Sequence, residues 1–139
     1  MVKQTIFEQM EHAVLGQQFD FDRVFEQIKW NQDGLIPAIT QAQQSKAVLM
    51  MAWMNREALL ETLITRQVCY WSRSRQCLWR KGESSGHRQY LTEARLDCDG
   101  DSLLLVVNQI GPACHTRRPN CFYLGLATDQ VTILTEPML

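Results

Sequence analysis

AVLMMAWM, residues 47–54, runs directly into NREALLETLIT, residues 55–65, and the join between them decides how the rest is read. The apolar run is far short of the roughly 20 residues needed to cross a bilayer, and its length suits a buried strand over Ala47–Trp53. Asn55 carries the short side-chain acceptor of a helix N-cap. Behind it the apolar spacing predicts a helix over Arg56–Thr65, with Leu59, Leu63 and Leu60 facing inward. Upstream, Asn31–Gly34 is a turn signal, Leu35–Gln41 reads as a strand and Gln43–Ser45 as a turn.

Working outward, Thr5 and Glu8 can form a capping box for a short helix over Ile6–Leu15, and Asp20 with Asp22 can start a second through Phe25 and Ile28. Val68–Ser72 and Cys77–Lys81 read as strands with a short basic connection. Tyr90–Cys98 and Leu103–Gln109 read as strands around an acidic turn, and Val131–Leu134 as a weak strand. No repeat or low-complexity tract interrupts them. The expected fold is a sheet-dominated α+β domain with two or three helices. At 139 residues there is room for one full-sized core.

Lys and Arg total 14 against 15 Asp and Glu, which argues against a polycationic nucleic-acid binder. Glu8 and Glu11 fall where a signal peptide would have its apolar stretch. The expectation is a cytoplasmic protein without membrane or nucleic-acid partners. Five cysteines, an odd number in a reducing compartment, do not suit a disulfide framework. They have to be core residues, metal ligands or reactive groups.

Three stretches carry chemistry. In Asp97-Cys98-Asp99-Gly100-Asp101, an extended backbone puts the three aspartates on one face and Cys98 on the other. Two carboxylates ~6–7 Å apart repel by about 2.5 kcal/mol at an effective dielectric of 20. A hard divalent cation or full solvation resolves that repulsion, and the stretch alone leaves both open. It is not an EF-hand, since Ser102 and Asn108 stand where that loop needs Gly and Glu. Cys114, His115 and Cys121, with Cys98, offer three thiols and an imidazole. Three thiols plus water suit a catalytic zinc and leave His115 to move protons, although buried structural cysteines fit the same spacing. Finally, Arg73, Arg75, Trp79, Arg80, Lys81, Ser84 and Ser85 surround Gly82 and Gly86. They suit a phosphate and a stacked base, or a solvated hairpin over core tryptophans. No P-loop pattern occurs.

GLIPAITQ (Gly34–Gln41), VLMMAWMNREAL (Val48–Leu59), YWSRSR (Tyr70–Arg75), LWRKGESSGH (Leu78–His87), DCDGDSLLL (Asp97–Leu105), GPACHT (Gly111–Thr116) and Cys121-Phe122 together resemble the phosphoribosyl-AMP cyclohydrolases, the family of the third step of histidine biosynthesis. The resemblance implies a monofunctional enzyme domain over residues 26–139 behind a helical extension over residues 1–25. It implies zinc on Cys98, Cys114 and Cys121, magnesium on Asp97, Asp99 and Asp101, and His115 as acid/base. Arg73, Arg75, Lys81, Ser84, Ser85 and Trp79 would hold the nucleotide. It further implies an intertwined homodimer in which zinc ligands come from both subunits. The family commonly has Gly after the CHT triplet and Ser before the last Cys. Here Arg117 and Asn120 stand there with Pro119 between them, and a side chain at 117 resists the left-handed backbone a glycine would take.

Zinc nucleoside deaminases attack the same kind of ring carbon. Their H-x-E signature is missing, because His12, His87 and His115 are followed two residues on by Val14, Gln89 and Arg117. A zinc-stapled interaction domain would need a fourth protein ligand, and a redox role has no C-x-x-C behind it.

Overall fold

The computed structural model describes residues 4–139. Its centre is the stretch quoted first. β1 (Ile36–Ala42) and β2 (Val48–Met54) pair antiparallel, from Ile36 opposite Met54 to Gln41 opposite Val48, with one irregularity at Thr40/Gln41. Two helices precede them, α1 (Ile6–Met10) and α2 (Phe21–Glu26). α3 (Arg56–Thr65) follows with the predicted bounds. Asn55 Oδ1 accepts from the Ala58 N–H at 2.8 Å, and Arg66 closes the helix in the left-handed conformation at φ 64°. The inward stripe is Ala58, Leu59 and Thr62, with Leu63 half-buried. Leu60, expected inward, is exposed: at 100° per residue it falls past the edge of the stripe that Leu59, Thr62 and Leu63 define.

β3 (Cys69–Ser72), β4 (Cys77–Arg80), β5 (Gln89–Leu96) and β6 (Leu103–Gln109) complete a six-stranded sheet of order β4-β3-β2-β1-β6-β5. β6 lies parallel to β1, and the other pairings are antiparallel. The sheet curls until its far side meets itself. The Val68 N–H donates to Gln89 O at 3.0 Å and the Leu91 N–H to Arg66 O at 2.7 Å, forming a bridge between Gln67 and Tyr90. Ile36, Ala38, Met50, Met54, Tyr70, Leu91, Leu103, Leu105 and Val107 fill the concave side, with Leu59 of α3 against them.

The first helix is shorter than the periodicity suggests. Val14 and Leu15 are almost fully exposed, and a short helix without a surface to pack on does not persist in water. Ile6 and Phe7, by contrast, are buried. A Cβ on Gly100 would sit 2.2 Å from Phe7 Cζ, so the phenyl ring lies directly on the turn between β5 and β6. The C-terminal ribbon pairs β7 (Leu124–Leu126), which the pattern did not reveal, with β8 (Val131–Ile133). No helix among the described residues is long and apolar enough to cross a membrane.

Candidate functional site

An open cleft of about 480 Å³ lies between the basic, glycine-rich loop and the cysteine loop. From one side come Arg75, Trp79, Lys81, Ser84, Ser85 and His87; from the other, Pro112, Ala113, Cys114, His115 and Arg117. Gly82 shapes the first side. Its φ is +82°, and a Cβ there would meet Arg88 N at 2.4 Å, so the loop folds back on itself and the Gly86 N–H reaches Gly82 O at 2.8 Å. Lys81 spans the cleft floor, donating from Nζ to Ala113 O at 2.6 Å while lying 5.0 Å from the Trp79 ring centroid. Burial pulls its ammonium below the usual lysine range, against the opposing pull of Cys121 and Cys114.

The cysteine loop is held from outside itself. The Cys121 N–H donates to Leu49 O of β2 at 2.8 Å, and the Cys114 N–H to Arg118 O at 3.2 Å. Arg117 does take the left-handed backbone, at φ +68°, which costs a side-chain-bearing residue about 1–2 kcal/mol. Its carbonyl accepts from the Met138 N–H at 2.7 Å, and Arg118 Nε donates to Thr135 O at 2.6 Å, so the tail holds the loop in that shape. Asn120 Oδ1 accepts from the Phe122 N–H at 2.8 Å.

The Cys114 and Cys121 thiols act on each other's titration, and they titrate apart. Burial raises Cys114, yet the Thr116 hydroxyl at 3.0 Å from its sulfur, the Thr116 N–H, the Cys121 thiol and the Lys81 charge bring it below the usual thiol range. Burial, then the neighbouring Cys114 thiolate, pushes Cys121 up to about 11. This is a paired, soft, partly ionised donor set of the kind zinc takes.

The aspartates gather elsewhere, in the β5–β6 turn. Asp97, Asp99 and Asp101 are, among the described residues, the one group of three or more His, Cys, Asp or Glu whose ligand atoms all lie within 4.8 Å. The expected acidic turn between the strands starts at Asp97, so backbone reversal brings the carboxylates together instead of strand alternation. Asp97 Oδ1 accepts from the N–H of Asp101 at 2.9 Å and of Ser102 at 3.3 Å. Burial works to raise Asp97, but the Asp101 and Ser102 hydrogen bonds win and hold its carboxyl down to about 2. Sharing a hydrogen bond with Asp97 and then with Asp99 lifts Asp101 to about 6. Hard oxygens crowded enough to keep a proton among them suit a divalent cation such as magnesium.

The profile of the phosphoribosyl-AMP cyclohydrolase family matches residues 50–123, which include the cleft, the aspartate turn and all five cysteines. A Pseudomonas fluorescens protein named phosphoribosyl-AMP cyclohydrolase 2 is 60% identical over 129 residues, covering 93% of this chain and 88% of its own. A phosphoribosyl-AMP cyclohydrolase of Hydrogenovibrio crunogenus is 56% identical over 139 residues, 100% of this chain and 95% of its own. This chain belongs to the phosphoribosyl-AMP cyclohydrolase family. It is an enzyme of that hydrolase family, and the Hydrogenovibrio cyclohydrolase aligns along its whole length, the N-terminal segment included.

Within this cyclohydrolase, Arg75, Trp79, Lys81, Ser84, Ser85, Cys114 and His115 meet at one cleft. Arg73 does not join them. Its guanidinium stacks 4.9 Å from the Trp53 ring centroid, in a separate hollow of about 340 Å³ with Asp33, Asn55 and Gln76. Cys98 sits exposed on the aspartate turn, outside the Cys114–Cys121 pair of its own chain. His87, a second imidazole on the cleft wall, received no role from its spacing, although the quoted LWRKGESSGH ends on it. Arg80 lines the cleft but points its guanidinium at Glu61, forming a two-pronged pair at 2.8 Å that ties β4 to α3.

Proposed function

We propose that the protein hydrolyses the N1–C6 bond of 1-(5-phosphoribosyl)-AMP, opening the purine ring to the formimino imidazole carboxamide ribonucleotide in the third step of histidine biosynthesis. The observation that carries this reading is the cleft itself, where cations and hydroxyls suited to phosphate face the Cys114 thiol and the His115 imidazole, groups suited to a hydrolytic metal. Arg75 and Lys81, with the Ser84 and Ser85 hydroxyls, hold phosphate oxygens, and Trp79 offers its face to the base. Arg73 would contribute only from its own hollow. Substitution at N1 draws electrons from C6, so that carbon accepts the oxygen of water. The N1–C6 bond then breaks, C6 keeps the oxygen as a carboxamide, and N1 leaves with a proton. His115, exposed at the cleft mouth, is the group placed to carry protons between water and N1.

Cys114 and Cys121 would hold zinc together with Cys98, and the aspartates would hold magnesium. Bound zinc supplies hydroxide near neutral pH by lowering the pKa of its water. Because Cys98 stands apart from the pair, the third thiol would come from a second copy. A homodimer also accounts for apolar surface otherwise left in water. Leu124, Leu126, Val131 and Ile133 are all more than half exposed on β7 and β8, and a two-stranded ribbon is marginal by itself. Ile39 and Met51, paired across β1 and β2, are exposed on the convex face of the sheet. A soluble enzyme of the cytoplasm, without nucleic-acid or membrane partners, fits this reading. The deciding experiment is incubation with phosphoribosyl-AMP while following the ultraviolet change of ring opening, with and without a zinc chelator. Ring opening abolished by chelation is expected, and no ring opening by the metal-replete protein would overturn the reading.

A further inference from the structure

A line of side-chain hydrogen bonds crosses the core beneath the cleft. Thr40 of β1, Tyr70 of β3 and Gln89 of β5 are each wholly buried, and Gln109 of β6 is half-buried. The Thr40 Oγ1 and Tyr70 hydroxyl lie 2.6 Å apart, the Tyr70 hydroxyl donates to Gln89 Oε1 at 2.6 Å, and Gln89 Nε2 donates to Gln109 Oε1 at 2.8 Å. Tyr70 has one proton and an amide oxygen only accepts, so Thr40 must be the donor to Tyr70. The other Gln89 amide proton faces Met50 Sδ at 3.3 Å. With its oxygen taken, Gln109 is left to donate from Nε2, to Ile110 O at 3.1 Å and His87 O at 3.3 Å. Every donor points the same way, which fixes both amide orientations and lets each bond polarise the next.

Of the two carbonyls at the end of this line, one belongs to His87, which lines the cleft, and the other to Ile110, two residues before Pro112 on the opposite wall. His87 ends the glycine-rich loop, and Ile110 begins the cysteine loop. They are cross-tied by the Ile110 N–H to Arg88 O at 2.9 Å. The His87 ring rests on Gly111, where a Cβ would lie 2.7 Å from its Cδ2.

We propose that Gln109 is a positioning residue that sets the spacing of the two loops across the cleft, and that Thr40, Tyr70 and Gln89 aim it. The inference rests on reading the cleft as the nucleotide site. The test compares Gln109→Met with Gln89→Met in the zinc-loaded protein, following phosphoribosyl-AMP kinetics, zinc content, Tm and amide exchange over residues 82–88 and 110–116. Gln109→Met should lower kcat/KM about a hundredfold, shared between kcat and KM, with zinc content unchanged and both loops exchanging faster together. Gln89→Met, one bond farther away and wholly buried, should lower Tm more and kcat/KM less. If it fails to fold, Tyr70→Phe, which removes the donor to Gln89, takes its place. The same ranking in Tm and activity, loss of zinc, or a Gln109→Met kcat/KM within about threefold of wild type would overturn the inference. Should the wild type not open phosphoribosyl-AMP, the nucleotide reading fails by itself and the exchange data decide. Two loops loosening together sustain the positioning role, and any other pattern ends it.

Discussion

The turn that leads into β6 gathers three carboxylates, and the loop that follows β6 gathers two thiols. The two clusters are assembled differently. The aspartate turn is local: five consecutive residues, closed by hydrogen bonds from Asp101 and Ser102 to Asp97. The cysteine loop is not local. It is held by Leu49 from β2, by Lys81 from the opposite wall, and by Thr135 and Met138 from the tail. If the aspartates hold magnesium and three thiols hold zinc, as proposed, the first ligand set lies in a single chain and the second lacks a thiol within it. On that proposal a cation at the aspartates would need only one folded chain, whereas a three-thiol zinc site would need two.

The strongest way to break this contrast uses two inactive variants. Cys98→Ser and Cys114→Ser should each lose zinc and ring-opening activity. Unfolded together and refolded, they should recover up to about a quarter of wild-type activity, because half the dimers are mixed and each has one intact site. Absence of recovery, with mixed dimers detected by native mass spectrometry, would refute a shared site. Next, Asp99→Asn should weaken Mn²⁺ binding by tenfold or more (about 1.4 kcal/mol) while zinc content, measured by atomic absorption, stays the same. Parallel loss of both metals would mean that the clusters are coupled. Lys81→Ala removes a charge-assisted donor from the wall that faces the thiols. KM for phosphoribosyl-AMP should rise roughly 10- to 100-fold, with zinc content little changed, in steady-state assays.

The smallest effect concerns the Glu61–Arg80 pair beside the cleft. Its hydrogen bond to Arg80 holds Glu61 below the usual carboxylate range, with burial opposing. A depressed carboxyl contributes stability that is complete above its unfolded value of about 4.3 and is lost as pH falls through the lower folded value. Glu61→Gln should therefore lower the urea midpoint slightly at pH 7, and by progressively less as the pH falls below about 4. A difference that persists in acid would assign the effect to packing.

What the sequence revealed follows the same division between local and distant. β6 and α3 have the bounds read from their patterns, because a cap, an apolar run and a turn lie within a few residues of one another. The approach of the aspartates was legible from spacing, although the reason was wrong, since a turn and not a strand brings them together. β7 was missed because Leu-Gly-Leu is too short to show alternation and forms only against β8. The separation of Arg73 from Arg75 was hidden in a four-residue connection, Arg73 to Gln76, that reverses the direction of a hairpin. Nothing in the spacing of Thr40, Tyr70, Gln89 and Gln109 announces a line of hydrogen bonds, because they meet only once the sheet curls.

Phe7 on Gly100 has one more consequence. The backbone at 100 has φ +74°, and the space where a side chain would begin is already filled by a ring from the first helix. Positions 7 and 100 therefore trade volume, although they lie more than ninety residues apart in the sequence. Alanine at 100 would be doubly penalised, and trimming Phe7 would relieve only the collision, leaving the torsional strain in place. Any drift at one of these two positions changes what the other can accept, which ties the start of the polypeptide to the acidic bend it covers.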